Sequence, residues 1–194
     1  MNRALDYRSW NRINEQFNLE LRTSISDYID DINDTIRPLD KNRVIEWWNN
    51  NLSNINIHYF DFANHMIGGA AIDENNIAIN RIHRIPAEIK LFITLHECRH
   101  TYHYSNMGLE RHYFETVIEG DKEEFLDQYQ RLEADANDFA FRSCRELGII
   151  FPPQLQHQLR HNENIGNQVY RMMKKDIEET GATSMKDLLL SQLL

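Results

Sequence analysis

The segment Leu95-His96-Glu97-Cys98-Arg99-His100 constrains the fold more than any other part of the chain. Its H-E-x-x-H pattern has chemical meaning only on a helix, where residues four apart share a face and the imidazoles of His96 and His100 can hold one metal ion together. Glu97 then lies about 100° round the helix from His96, beside that ion, where its carboxylate can take a proton from a bound water rather than ligate. The residues before the motif, from Pro86 to Leu95, predict a buried helix, with proline in the first turn and an apolar face of Ile89, Leu91, Phe92, Ile93 and Leu95.

A catalytic metal site needs a third protein ligand and an open fourth position. His103 lies on the same helix face, but three ligands along one straight helix span about 10 Å, too far for bonds near 2 Å. It is excluded as a ligand. His112 follows Gly108, after which the helix can end and the chain turn back. Glu133 lies in a second strongly periodic helix, whose apolar stripe is Leu126, Tyr129, Leu132, Ala136, Phe139 and Ala140. A carboxylate bordering such a stripe is costly unless paired, and a metal would neutralise it. On spacing alone, His112 and Glu133 both stand.

The two motifs together, H-E-x-x-H at residues 96–100 and Glu133-Ala134-Asp135-Ala136-Asn137-Asp138-Phe139-Ala140 some thirty residues later, resemble the gluzincin metallopeptidases, in particular the ImmA/IrrE-like and M48-like families. The resemblance covers roughly residues 70 to 152. It implies a zincin-like core in which His96, His100 and Glu133 bind one zinc ion, Glu97 is the general base, and Asn137 supports a ligand from behind. It further implies a cleaved protein or peptide substrate, and a hydrogen-bond donor for the oxyanion, for which His103 and Tyr104 are the candidates. Arg99 departs from the small or apolar residue usual there, so that side of the helix should be less buried. The apolar run that often follows the second motif is reduced to Gly148-Ile149-Ile150-Phe151-Pro152. A different class, an SprT-like protease working near DNA with His112 as third ligand, stands as an alternative, as does a non-catalytic binding protein on a zincin scaffold.

The rest of the chain frames this centre. A length of 194 residues allows one core with helical additions, and the expected class is α+β, predominantly helical. The divisions are an N-terminal helical layer over 1–52, the core over 53–152 and a C-terminal helical region over 153–194, forming one compact unit. A net charge of −9, spread along the chain, repels phosphate backbones and argues against nucleic-acid binding. No run of apolar residues is long enough for a membrane span or signal peptide, and Cys98 and Cys144 suggest no disulfide framework, so the chain reads as cytoplasmic. Frequent asparagine, as in Asn49-Asn50-Asn51, hints at an AT-rich microbial or viral genome.

In the N-terminal part, apolar positions from Trp10 to Ile36 recur every three or four residues, giving one long helix or two with a break near Thr23-Ser24. Asp40 should cap a second helix carrying Trp47 and Trp48, of which at least one packs in the core. Alternation at Ile55, Ile57 and Tyr59, then Ala70 to Ile72, then Ile77 and Ile79, predicts a small antiparallel sheet. Its free edge, the place for an extended substrate, is expected at Asn76 to Asn80. After Pro152-Pro153 come helical residues to Gly181. Thr183 or Ser184 then caps an apolar tail, Met185 to Leu194, which folds back or supports self-association.

Overall fold

The computed structural model of the chain describes residues 22–33, 38–60, 68–80, 85–108, 111–160, 165–184 and 187–188. The periodicity expected over residues 7–21 lies outside them. The described part is mostly helical with one small mixed sheet, an α+β arrangement.

The N-terminal layer breaks where two small hydroxyl residues meet. Arg22–Thr23 form a short strand, β1, and Ser24 then caps helix α1, Ile25–Ile32, its hydroxyl accepting the amide of Asp27 at 3.0 Å. Asp40 likewise caps α2, Lys41–Asn51, through the amide of Arg43. Trp48 is buried in the core, while half-buried Trp47 donates its indole N–H to Glu146 at 2.7 Å. Arg43 also donates to the Glu146 carbonyl, so two residues of α2 clamp the far end of a later helix.

Three further strands follow: β2, Asn56–Phe60; β3, Gly69–Ala71; and β4, Asn76–Asn80. Their order is β1-β2-β4-β3. This corrects the sequence expectation twice. The β2 and β4 strands run parallel, so the sheet is mixed, and β4 is an interior strand, so residues 76–80 are not its free edge. The physical reason lies in Ala78. It is as buried as its neighbours Ile77 and Ile79, so β4 is covered on both faces, as suits a central strand. The sheet's edges are β1 and β3, and β3 returns into β4 through a turn held by the Asp73 carboxylate, bonded to the Asn75 amide and the Asn76 side chain.

Against the sheet lies α3, Ala87–Met107, a 21-residue helix that ends at Gly108, whose φ of 64° is open to glycine at little cost. A π-helical turn, Arg111–Glu115, and the single turn α4, Thr116–Glu119, lead to α5, Lys122–Glu146, capped by Asp121 through the Glu124 amide. The helices α3 and α5 pack in opposite directions, so that His96 meets Asn137 while His103 meets Asp135. Two more helices follow, α6, Pro153–Arg160, and α7, Ile165–Thr180.

Among the described residues two apolar cores result. The larger joins α1, α2, the sheet and α3 to the last turns of α5, through Ala140, Phe141 and Cys144. The smaller gathers Tyr113, Val117, Phe125, Leu132, Tyr170, Met173 and Leu188 around the first half of α5. Leu188 lies 2% exposed in it, so the tail folds back at least that far, with Ser184 capping its start. Tyr104 packs against both cores. At their seam stand the H-E-x-x-H residues and Glu133. Among the described residues, no helix is long and apolar enough to cross a membrane.

Candidate metal centre

The packing of α3 on α5 brings together His96, His100 and Glu133. The His96 and His100 Nε2 atoms lie 3.0 Å apart, and the Glu133 carboxylate places one oxygen 3.3 Å from each. A tetrahedral zinc with bonds of about 2.0–2.1 Å separates its ligand atoms by about 3.3–3.4 Å. Oε2 of Glu133 is the nearer oxygen to His96 and Oε1 to His100; one ligand atom from each of the three residues lies within 4.8 Å of the other two, close enough to gather around one such ion, and the donor set, two imidazoles and a carboxylate, suits it. Among the described residues this is the grouping of metal-ligand side chains that could hold an ion. His112 falls in the π-helical turn, and its side chain lies outside what is described.

Packing this tight shifts His96 and Glu133 in opposite directions. Burial alone would lower the pKa of His96, but Glu133 outweighs it, with Glu97 and Asn137 adding to the effect, and the value rises to about 9. Burial pushes Glu133 the other way, yet the two imidazoles prevail and hold its carboxyl well below the usual range. Without a metal the site is thus an ion pair between a protonated His96 and Glu133. Glu97 is 8% exposed, and burial raises its pKa despite both imidazoles and a hydrogen bond from the Ala71 amide.

Both histidines are also held from behind. The Oδ1 atom of Asn137 lies 3.1 Å from His96 Nδ1, where it accepts the ring N–H and leaves Nε2 facing Glu133. His100 Nδ1 lies 3.0 Å from Nδ1 of His103, and the other nitrogen of His103 lies 2.8 Å from Asp135. His103 is fully buried, and burial pushes its pKa down to about 4, although Asp135 pulls the other way. With both ring nitrogens taken, His103 has no N–H to offer a substrate carbonyl, which removes the geometric basis for an oxyanion role. Tyr104 turns its hydroxyl to the Ala71 carbonyl at 3.4 Å. Arg99 is half-buried, as its departure from the small residue suggests, and donates to Asp135 at 2.6 Å while lying 4.1 Å above the Tyr102 ring.

Two residues of the site are not singled out by sequence reasoning. Asp135 is two positions from Glu133, about 200° round the helix, and reads as a solvated residue; a helical pairing with Arg99 and His103 is its only sequence sign. Tyr113 lies in the π-helical turn, which periodicity does not forecast. Its hydroxyl is buried with no hydrogen-bond partner, and burial raises its pKa, reinforced by the charges of Glu133 and Glu97.

The β3 edge closes the other side. Hydrogen bonds from Asn80 to Gly68 and from Ile72 to Asn76 pair positions 68 and 72 with β4, so Gly69 and Ala71 turn their main-chain groups outward. Ala71 gives its N–H to Glu97 and receives the Tyr104 hydroxyl. Gly69 lies beside Glu97 on the same edge. Comparison with known proteins returned no match, whether to a family model, a curated protein or a solved structure.

Proposed function

We propose that this chain is a zinc-dependent peptidase with a zincin-like core, in which His96, His100 and Glu133 hold the metal and Glu97 is the general base. The observation that supports this reading is the convergence of two imidazoles 3.0 Å apart and one carboxylate, each oxygen 3.3 Å from one of them, a donor set that suits one tetrahedral ion. Zinc in that place supplies a Lewis acid for the scissile carbonyl and an acidified water.

The chain's own groups supply the rest. Asn137 fixes His96 with Nε2 toward the ion. Glu97, buried against Gly69 and oriented by the Ala71 N–H, takes a proton from water and returns it to the leaving amine; its raised pKa suits both transfers. Tyr113, not His103 or Tyr104, is the group with a free hydroxyl to give a developing oxyanion. A short extended peptide pairs with the outward N–H and C=O of Gly69, which favours a peptide over a small-molecule substrate.

The test is metal content by mass spectrometry beside peptide hydrolysis. Wild type should carry one zinc per chain, Glu133→Ala should lose it, and His112→Ala and Glu97→Gln should keep it, with Glu97→Gln inactive. Zinc lost with His112→Ala but retained in Glu133→Ala would move the reading to the SprT-like arrangement, and full activity in Glu97→Gln would overturn the base.

A further inference from the structure

Resting on that reading, we infer that Asp135 is a positioning residue for the metal ligand His100, acting on it through His103. The chain of contacts is Arg99 to Asp135 at 2.6 Å, Asp135 to His103 Nε2 at 2.8 Å, and His103 Nδ1 to His100 Nδ1 at 3.0 Å. The direction of every proton in it follows from one end. An ionised carboxylate only accepts, so His103 Nε2 carries the hydrogen. A neutral His103 then has a bare lone pair at Nδ1. A contact of 3.0 Å between two imidazole nitrogens needs one hydrogen between them, so His100 Nδ1 carries it. The consequence is a lone pair on His100 Nε2, the atom 3.3 Å from Glu133 and 3.0 Å from His96 Nε2.

Reversing the first step reverses the last. If His103 carried its hydrogen at Nδ1, His100 Nδ1 would have to accept it, and a neutral His100 would then bear its hydrogen on Nε2, facing the metal. Asp135 therefore selects the ligating tautomer of a residue it does not touch. His96 receives the same service in one step, from Asn137, whereas His100 receives it in two. The fully buried ring of His103 makes the longer route rigid, since no water competes for its nitrogens.

The test has two arms. Ring ¹⁵N–¹H correlation spectra of wild type should show His103 as the Nε2–H tautomer and His100 with its hydrogen on Nδ1. Zinc affinity is then measured by competition with a chromophoric chelator. Asp135→Ala, at a partly exposed position, should bind zinc about 10–100-fold more weakly, and should cost nothing further in a His103→Gln background, because its effect runs through that ring. Asp127→Ala, which removes an exposed carboxylate from the same helix, should leave affinity unchanged. A His103 ring with its hydrogen on Nδ1, or equal zinc affinity in wild type and Asp135→Ala, would overturn the inference while leaving the metal site in place. A wild type that takes up no zinc would overturn the metal reading and this inference with it.

Discussion

Gly69 stands so close to Glu97 that a Cβ atom at position 69 would lie 2.8 Å from the Glu97 Cγ, with the Ala78 carbonyl and Ile79 at 3.1 Å on the other sides. The edge strand can pass the proposed base only because it has no side chain there. Gly69→Ala should therefore displace Glu97 and cost activity out of proportion to stability: hydrolysis down by about 100-fold, as for a misplacement of about 1 Å, against about 1–3 kcal/mol of unfolding free energy from overpacking. Peptide kinetics beside urea denaturation would separate the two, and a variant with intact kcat would show that Glu97 does not need this position.

Tyr113→Phe should move stability and activity in opposite directions. Removing a buried hydroxyl that has no partner relieves a desolvation cost of about 1–3 kcal/mol. Losing an oxyanion donor costs about 100-fold in kcat. A variant both more stable and less active is the expected result; unchanged kcat would remove Tyr113 from the mechanism.

Asn137→Ala should weaken zinc binding by about 10–100-fold, because the Nδ1–H of His96 loses the acceptor that fixes its ring. Equilibrium dialysis against zinc buffers measures this directly. Affinity equal to wild type would mean that packing alone orients His96.

The metal-free chain should lose stability as pH rises. His96 has a folded pKa of about 9, above an unfolded value of about 6.5. A raised folded value means that the stabilisation is fully present below about pH 6.5 and is lost as pH climbs through about 9. Urea midpoints of metal-stripped protein should fall between these limits. The same proton must leave when zinc enters, so zinc affinity should increase across this range, with about one proton released per ion at pH 7.5. Calorimetry in buffers of different ionisation enthalpy would report it.

The helical half of this site was legible because its signals are local. Ser24 and Asp40 start helices by capping amides three residues on, and the spacing of His96, His100, Glu133 and Asn137 puts each on the face that meets the other helix. The sheet was not legible in the same way. Alternation in Ile77 and Ile79 announces a strand but not its neighbours, and Ala78 is small enough to read as either face. Only tertiary packing decides that β2 lies beside β4 and that β3 carries an edge. Asp135 and Tyr113 were hidden for a related reason, since a helix crossing and a π-helical turn place them, not a period along the chain.

The β3 edge also bears on how the molecule behaves at high concentration. An open strand edge is a template on which a second copy can add, and the sheet could then grow from chain to chain. Here the edge is three residues long, and one of its two outward positions, Ala71, is already occupied by Glu97 and Tyr104. The proposed base, together with Tyr104, thus doubles as a plug: the pair leaves room for one residue of a visiting peptide and too little for another β3. Loss of the Glu97 carboxylate would reopen that edge, turning a defect in chemistry into a tendency to aggregate.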